Sequence, residues 1–376
     1  MAPALFTPLA LGPIEVPNRI AVSPMCQYSA NDGVASDWHV QHLMTFAMSG
    51  AGLVALEATG VERSGRISLR CLGLYSDACE YALGRVLAAA RSVALPGTKF
   101  ALQLAHAGRK GSVHVAWERG KPLTAAEGAW QTLAPSAIPV GEGSPVPEAL
   151  DEAGIERIIA AFADATRRAV RIGFDAIEMH AAHGYLVHEF HSPISNRRTD
   201  AWGGDEERRL HFPCAVADAM RAVTPKHIAL GARITGTDFI DGGLTVDDAI
   251  VLAGRLEDRG FDYVCVSSGN IVTGGRPVSE PGFNVANAAR VKAATRMAVR
   301  TTGFIVTPAQ AEDIVAQGGV DQVAIARAFL DDPRWGWHAA EQLGAKISLP
   351  PQYARAAPAA WPGAEMARDS ASRAER

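Results

Sequence analysis

Residues 177–190 read IEMHAAHGYLVHEF, a short apolar run followed by two histidines, a glycine and a tyrosine. Residues three apart on a regular strand point to opposite faces, so His180 and His183 converge only if the chain leaves the strand and turns between them. The small residues around them, Gly184 among them, permit such a turn, and Tyr185 follows it directly. We therefore predict that a buried strand ends at His180 and that polar side chains gather at its end.

Seven other apolar runs of similar length recur along the chain, separated by longer amphipathic segments. One such segment, residues 152–173, has apolar positions three and four apart after Asp151, a predicted helix N-cap. Strands buried on both faces of a sheet are nearly continuously apolar, as these runs are. The eight predicted strands are RIAVSPM (19–25), GLVALEA (52–58), KFALQLA (99–105), DAIEMH (175–180), IALGARI (228–234), DYVCVSS (262–268), AVRTTGF (298–304) and DQVAIAR (321–327).

Eight strand–helix units without a break in composition predict a single α/β domain, a TIM (β/α)8 barrel. We expect this domain to span residues 1–362, with a disordered tail at 363–376 that is small and charged in composition. A doubly wound sheet is the alternative fold. It would need a phosphate-binding turn after its first strand, and no GxGxxG sequence follows residues 19–25.

Two segments fall outside the eight units. Residues 5–18, LFTPLALGPIEVPN, are predicted to form an N-terminal β-hairpin that closes the lower mouth of the barrel. Residues 113–150, after the third strand, are rich in glycine and proline and too long for an ordinary strand-to-helix loop. We expect this segment to be an extended lid over the upper mouth.

Composition and charge exclude several classes of protein. The net charge of −4 has no basic stripe that would hold nucleic acid. No run approaches the ~18 apolar residues of a membrane span, and the N-terminus lacks the pattern of a signal peptide. The five cysteines are odd in number and lack CxxC spacing, which argues against a disulfide framework. We expect a cytoplasmic protein whose partner is a small molecule.

Polar residues stand at the carboxyl ends of the predicted strands, although the strands themselves are apolar. In a TIM barrel, catalytic and binding residues lie at these ends. The candidate functional residues on this criterion are Ser23 to Cys26, Ala58, Gln103, His180, Arg233, Ser267, Gly303 and Arg327.

The strand ends carry motifs that closely resemble those of the old yellow enzymes, specifically the bacterial thermophilic-like ene-reductase and xenobiotic reductase class. The resemblance covers residues 4–355, with its motifs in the order typical of that family. It implies a non-covalently bound FMN, NADPH or NADH as reductant, and activated alkenes as oxidants. The motifs are PNRIAVSPMCQYS, EATGVERSGRIS, QLAHAGRK, HAAHGYLVHEFHSPISNRRTDAWGG, IARAFLDDPRW and PPQYAR.

The resemblance also assigns cofactor contacts. The phosphate is expected at the ends of strands 7 and 8, where TIM barrels commonly bind phosphate. The family often has glycine at the position of Ala326. Arg233 is expected to stabilise the reduced flavin, with an interior salt bridge as its alternative role. The cofactor-binding residues implied are Ser23, Pro24, Cys26, Ala58, Gln103, Arg233, Gly303, Ala326 and Arg327.

Substrate contacts are implied for four residues, two of them outside the histidine segment. Tyr28 matches a pocket tyrosine, and Arg355 matches an arginine that in relatives reaches the neighbouring subunit's site. The assembly is therefore expected to be a homodimer or tetramer. His180 and His183 would hold a carbonyl or nitro oxygen of the substrate.

The histidine pair leaves room for other interpretations. In the first interpretation, His180 and His183 form an oxyanion clamp: they hold the substrate oxygen on which negative charge develops. Tyr185 then donates a proton to the α-carbon. A zinc site would need a third ligand, for which Glu178 is nearest in sequence, but Glu178 lies one level lower on the strand. A purely structural pair is the third possibility. The later histidines, His188 and His191, are expected to serve helix packing and to face solvent.

The leading hypothesis is therefore an FMN-dependent ene-reductase that acts on α,β-unsaturated carbonyl compounds, maleimides or nitro compounds. A flavin barrel for dienoyl reduction or amine demethylation is less well supported, since such relatives carry an additional iron-sulfur cysteine cluster and a second nucleotide domain. A metal-dependent hydrolase and a non-catalytic binding protein are the alternatives from other classes.

Overall fold

The computed structural model describes residues 2–273, 280–357, 359–364 and 366. Of the predicted tail, 363–376, only Gly363, Ala364 and Met366 belong to this part, so most of that prediction lies outside the described residues. The strands, in chain order, are β1 (Leu9–Leu11), β2 (Ile14–Val16), β3 (Ile20–Val22), β4 (Leu53–Gly60), β5 (Lys99–Ala105), β6 (Leu133–Ala134), β7 (Glu148–Ala149), β8 (Ala176–Ala181), β9 (Ala229–Thr235), β10 (Tyr263–Ser267), β11 (Ala298–Thr301) and β12 (Gln322–Ile325).

The helices alternate with the barrel strands. They are α1 (Asp37–Ala47), α2 (Asp77–Val93), α3 (Glu152–Ile172), α4 (Leu186–His191), α5 (Glu206–Arg209), α6 (His211–Val223), α7 (Val246–Asp258), α8 (Val285–Ala294), α9 (Pro308–Ala316), α10 (Arg327–Asp331) and α11 (Trp335–Leu343). Among the described helices, none is both long enough and apolar enough to cross a bilayer.

Eight parallel strands close into a barrel in the order β3, β4, β5, β8, β9, β10, β11 and β12, with β12 pairing back onto β3. The predicted TIM barrel is thus confirmed. Each predicted strand is present. The apolar runs are buried on both faces, because each strand pairs with its neighbours inside a shell of helices. In β9, for example, every residue is buried.

Helix α3 illustrates how local sequence sets the outer shell. Its N-cap is Asp151, as predicted, with Oδ1 accepting the Gly154 N–H over 2.8 Å. At the other end, Gly173 adopts φ +95°, the left-handed conformation that terminates many helices. The apolar face between these caps packs onto the barrel and buries Ile155, Ile158, Phe162, Thr166 and Ala169.

The N-terminal hairpin closes the lower end of the barrel, as expected. Strands β1 and β2 pair antiparallel, with Leu9 opposite Val16. Buried hairpin side chains, including Leu11 and Ile14, form one apolar cluster with small residues of the barrel strands such as Ala101 and Ala176. Small residues at this level leave room for the hairpin to seal the barrel.

The lid, residues 113–150, contains a two-stranded sheet in which β6 pairs with β7. Arg109, just before the lid, donates to the carbonyl oxygens of Ile138 in the lid over 3.1 Å and Ile271 after β10 over 2.6 Å. Trp130 Nε1 donates to the Ser64 carbonyl over 2.9 Å. These bonds tie the lid to loops at the upper end of the barrel.

Candidate active site

Two adjoining cavities open at the carboxyl ends of the barrel strands. The smaller has a volume of about 180 Å³, and the larger about 430 Å³. They share His183, Arg233 and Ala326 as walls, and Gly303 and Arg327 line the larger cavity. Every residue that lines the smaller cavity was among the sequence-based candidates: Ser23, Pro24, Cys26, Ala58, Gln103, His180, His183, Tyr185, Arg233 and Ala326.

Two predicted substrate residues lie apart from these walls. Tyr28 packs edge-on against Trp117 of the lid, with ring centroids 5.7 Å apart. Arg355 is exposed in a short 3-10 segment, Pro351–Ala356. Within one subunit, therefore, the structure brings together all the other predicted site residues but not these two.

The turn after β8 brings the histidines and the tyrosine together. His183 and Gly184 adopt φ values of +60° and +71°, a left-handed pair that reverses the chain. A Cβ at Gly184 would lie 2.3 Å from the Asn270 carbonyl oxygen, so this position requires glycine. The ring of His180 consequently lies 5.2 Å from that of His183 and 5.0 Å from that of Tyr185.

The protonation of His180 follows from its surroundings. Burial, and secondarily the charge of Arg233, holds the pKa of His180 well below its usual value, so the ring is neutral at pH 7. Its Nδ1 accepts the Ala182 N–H over 3.3 Å. The single ring proton therefore resides on Nε2, which has no hydrogen-bond partner among the described residues and is a free donor.

His183 is held by a serine at the end of β10. Its Nε2 lies 2.5 Å from Ser267 Oγ, and Arg233 donates to the same oxygen over 3.3 Å. Arg233 can only donate to Ser267 Oγ, while the Ser267 hydroxyl can either donate to His183 Nε2 or accept from it, because its hydrogen rotates. Burial lowers the pKa of His183 as well, so this ring is also neutral.

Tyr185 is a neutral phenol beside a partly desolvated amine. Burial raises the pKa of Tyr185 well above its usual value, so the hydroxyl keeps its proton at neutral pH. Lys110 Nζ lies 5.1 Å from the centre of the tyrosine ring and donates to the His183 carbonyl over 2.7 Å. Burial lowers the pKa of Lys110 to about 8. Lys110 thus secures both the turn and the tyrosine ring.

The expectation that His188 and His191 face solvent is wrong, because both are buried. His188 Nδ1 accepts the Gly184 N–H over 2.8 Å, and its Nε2 lies 2.9 Å from Asp238 Oδ1. Helix α4 turns its first residues inward beneath the turn, and this directs His188 to the turn's backbone. No motif or spacing predicts this pairing, since Asp238 comes from the loop after β9.

The residues that line the cavities include polar groups without partners in the described part of the chain. Arg233 Nε, Ser23 Oγ and Asn284 Nδ2 are buried and make no hydrogen bond there, and Arg233 has no ion-pair partner there. The interior salt bridge considered for Arg233 is made instead by Arg300, with Glu178. Buried groups of this kind suit a bound ligand with its own acceptors and donors.

The larger cavity is lined by the Arg327 side chain and by the chain around Gly303. Gly303 adopts φ +121°, and a Cβ there would lie 2.8 Å from the Phe283 ring. The Arg327 guanidinium lies 5.8 Å from the ring of Phe304. Ala326, with φ −112°, needs no glycine. Sequence reasoning missed Asn284 and Ser268 as cavity residues; Ser268 follows a strand end and could have been found, whereas nothing marked Asn284.

No group of three or more histidine, cysteine, aspartate or glutamate side chains within the described ranges is arranged to hold a metal ion. Glu178, the third ligand that zinc would require, is turned toward Gln103 and Arg300 below the cavity.

Comparison with known proteins agrees with this geometry. Residues 4–346 match the NADH:flavin oxidoreductase / NADH oxidase family. The NADPH dehydrogenase of Geobacillus thermodenitrificans is 39% identical over 357 residues, which cover 94% of this chain and 99% of that protein. The chain belongs to this family, that of the old yellow enzymes. It is an FMN-dependent oxidoreductase that uses NADH or NADPH as reductant.

Solved structures place this old yellow enzyme among reductases of the same fold. Morphinone reductase is 29% identical with a TM-score of 0.74, over 94% of this chain and 93% of its own. A 2-naphthoyl-CoA reductase complex is 24% identical with a TM-score of 0.82, a likeness that bears on the fold alone. The match covers 91% of this chain and 53% of that one, so the old yellow enzyme spans about half of its length.

Proposed function

We propose that this enzyme reduces activated alkenes: α,β-unsaturated carbonyl compounds, maleimides and nitro compounds. The observation that carries the proposal is the convergence of the His180, His183 and Tyr185 rings on one cavity wall, next to Arg233. Two neutral imidazoles and a neutral phenol supply donors suited to an electron-rich oxygen and to a carbon that must gain a proton.

FMN is proposed to lie across both cavities. Arg233, which lacks an acidic partner in the described chain, would face the pyrimidine edge, and Gly303, Ala326 and Arg327 would hold the phosphate. When bound, FMN accepts two electrons from NAD(P)H and returns a hydride to the β-carbon of the alkene. The remaining ring contacts are proposed for Ser23, Pro24, Cys26, Ala58 and Gln103.

The histidines are proposed to bind the carbonyl or nitro oxygen of the substrate. As the β-carbon is reduced, negative charge gathers on that oxygen, and preorganised N–H donors bind it more strongly than the uncharged group. His180 Nε2 is supported as one donor by the backbone bond that fixes its tautomer, and His183 as the other by its place on the same cavity wall. One such donor is commonly worth about 3 kcal/mol of the activation barrier.

Tyr185 is proposed to deliver the proton to the α-carbon. Its raised pKa supports this role, because the phenol is fully protonated over the working pH range. The Lys110 amine over the ring face holds the ring in place.

The outer parts of the site are proposed to include Tyr28 as a wall of the substrate pocket and Arg355 as a contribution to the neighbouring subunit. The exposure of Arg355 in a single subunit supports this, since the side chain is free to reach another copy. We infer a homodimer or tetramer on the same ground. The five unpaired cysteines support a reducing, cytoplasmic location.

The test follows the two half-reactions separately. The purified yellow protein would be reduced anaerobically with NADPH or NADH and then mixed with cyclohexenone, N-ethylmaleimide or a nitroalkene. Rapid return of the oxidised flavin spectrum, with formation of the saturated product, is expected. If the reduced enzyme were reoxidised by ferricyanide but by none of the three alkenes, the proposed substrate class would be wrong.

A further inference from the structure

A layer of buried polar side chains lies inside the barrel, directly below the smaller cavity. Strand register brings Gln103 of β5 next to Glu178 of β8, and Arg300 of β11 next to Gln322 of β12. Each of these four side chains belongs to a residue that is at most 2% exposed. The layer is therefore sealed from water on all sides except through the cavity that Gln103 lines.

The four side chains form one chain of hydrogen bonds. Gln103 Nε2 donates to Glu178 Oε1 over 2.8 Å, and Arg300 Nη1 donates to Glu178 Oε2 over 3.2 Å. Arg300 Nε donates to Gln322 Oε1 over 2.7 Å. Each carboxylate oxygen of Glu178 thus has its own donor.

The barrel makes space for the Arg300 side chain beside an aromatic ring, and that ring in turn requires a glycine on the neighbouring strand. The Arg300 guanidinium lies 4.7 Å from the ring centre of Tyr263, and that ring occupies the space that a side chain at position 231 would fill. A Cβ on Gly231 would lie 2.2 Å from Tyr263 Cζ. A buried ion pair is seldom more stabilising than well-packed apolar side chains in the same space. Stability alone therefore does not explain this layer, which points to a function.

The hydrogen bond to Glu178 fixes which end of the Gln103 amide faces the cavity. A carboxylate paired with an arginine only accepts hydrogen bonds, so the nitrogen of the amide must point down to it. The carbonyl oxygen, Oε1, is then the end turned toward the cavity. An amide without this partner could present either end, because the two are nearly equal in shape.

We propose that Glu178 is a positioning residue that makes Gln103 a hydrogen-bond acceptor toward the cofactor, with Arg300 holding the carboxylate in place. Oxidised isoalloxazine carries one ring N–H, at N3, and an acceptor is what that group needs. The inference rests on the proposed placement of FMN over Gln103. Its consequence is selectivity for a flavin with a hydrogen on N3.

The experiment measures that selectivity directly. The full-length enzyme would be equilibrated with FMN and 3-methyl-FMN in competition, and the bound flavins separated and quantified by chromatography. The wild-type enzyme is expected to prefer FMN by tenfold or more. In Glu178→Gln the amide of Gln103 loses its fixed orientation, and the preference should fall to within about threefold of the value for Gln103→Met, which reports the size of the methyl group alone.

Two further variants separate positioning from stability. Gln322→Met removes a partner of Arg300 but leaves the Gln103–Glu178 bond, so it should keep the wild-type preference even if it unfolds at a lower temperature. If Glu178→Gln does not fold, Glu178→Gln/Arg300→Gln removes both charges and leaves no unpaired guanidinium, and the same fall in preference is expected.

A role for Glu178 in stability alone would weaken the binding of both flavins equally and leave their ratio unchanged. A tenfold preference retained in the variant, or no preference in the wild-type enzyme, would overturn the inference. Reoxidation of the wild-type enzyme by cyclohexenone tests the proposed function independently of this ratio.

Discussion

Asp238 and His188 form a fully buried pair, with Asp238 Oδ1 2.9 Å from His188 Nε2. Asp238 Oδ2 also accepts the Ser192 hydroxyl and the Leu244 N–H, each over 2.9 Å. Although burial alone would raise it, these donors and the neighbouring imidazole keep the pKa of Asp238 below its usual value. Because His188 Nδ1 accepts the Gly184 N–H, a ring hydrogen lies on Nε2 and faces the Asp238 carboxylate.

The first prediction concerns this pair. In Asp238→Asn the amide can donate to His188 Nε2, which shifts the ring hydrogen to Nδ1 and sets it against the Gly184 N–H. We expect a loss of about 2 kcal/mol in the free energy of unfolding, measured by urea denaturation. Asp241→Asn, a substitution at an exposed position in the same loop, is the matched control and should change stability little. Equal stability of the two variants would contradict the assignment.

The second prediction separates the two half-reactions. Tyr185→Phe keeps the ring that packs against His180 and Lys110 but removes the hydroxyl. Anaerobic stopped-flow measurements should show reoxidation by cyclohexenone slowed about 100-fold, the usual effect of losing a general acid. Reduction by NADPH needs no such proton and should change less than threefold. Equal losses in the two steps would count against Tyr185 as the proton donor.

The third prediction is a dependence of stability on pH. Glu189 is buried under the lid, where its Oε1 accepts the Arg109 N–H over 2.9 Å and its Oε2 has no partner within the described chain. Burial raises its pKa to about 8, despite the opposing charges of Arg109 and Lys110. In the unfolded chain the group titrates near its ordinary value of about 4.5.

Between these values the folded enzyme binds a proton that the unfolded chain has released, so this contribution to stability is present below pH 4.5 and is lost as pH rises toward 8. Its slope is about 1.4 kcal/mol per pH unit. Glu189→Gln keeps the acceptor for Arg109 and removes the titration. Urea unfolding at several pH values should therefore show a flatter profile for this variant than for wild type or for Glu156→Gln, a control at an exposed site. Parallel profiles would disprove the raised pKa.

The fourth prediction tests the contribution of Arg355 to a neighbouring site. If Arg355 binds substrate in another subunit, Arg355→Ala should weaken the apparent affinity for the alkene about tenfold, the effect of losing one charge-assisted hydrogen bond. Sedimentation should show a dimer or tetramer for both proteins. Lys346→Ala, another exposed position near the C-terminus, is the control. A wild-type enzyme that is monomeric and fully active would rule the contribution out.

The barrel could be predicted because each strand is buried on both faces and so reads as an apolar run. The ends of the strands could not be predicted, because the apolar residues continue beyond the last residue that pairs with a neighbouring strand. The run predicted to end at Phe304 leaves the sheet after Thr301, and Gly303 and Phe304 take positive φ values as they line the larger cavity. Likewise, the strand predicted over 19–25 is only Ile20–Val22.

The walls of the smaller cavity were found from the rule that barrel chemistry lies at strand ends, together with the family resemblance. Pairings between residues far apart in sequence were not found, since they depend on strand register and loop placement, which apolar patterning does not specify. Glu178 with Arg300 and His188 with Asp238 join residues 122 and 50 positions apart. Such partners become evident only when the closure of the barrel is known.

The hairpin β1–β2 fills the lower end of the barrel, so in the described part of the chain the two cavities open at the upper end. If NAD(P)H and the alkene bind at the same cavities, as the proposed function implies, each should act as a competitive inhibitor of the other. Excess NAD(P)H should therefore slow turnover. A larger alkene should relieve this inhibition only by competing with NAD(P)H for the cavities.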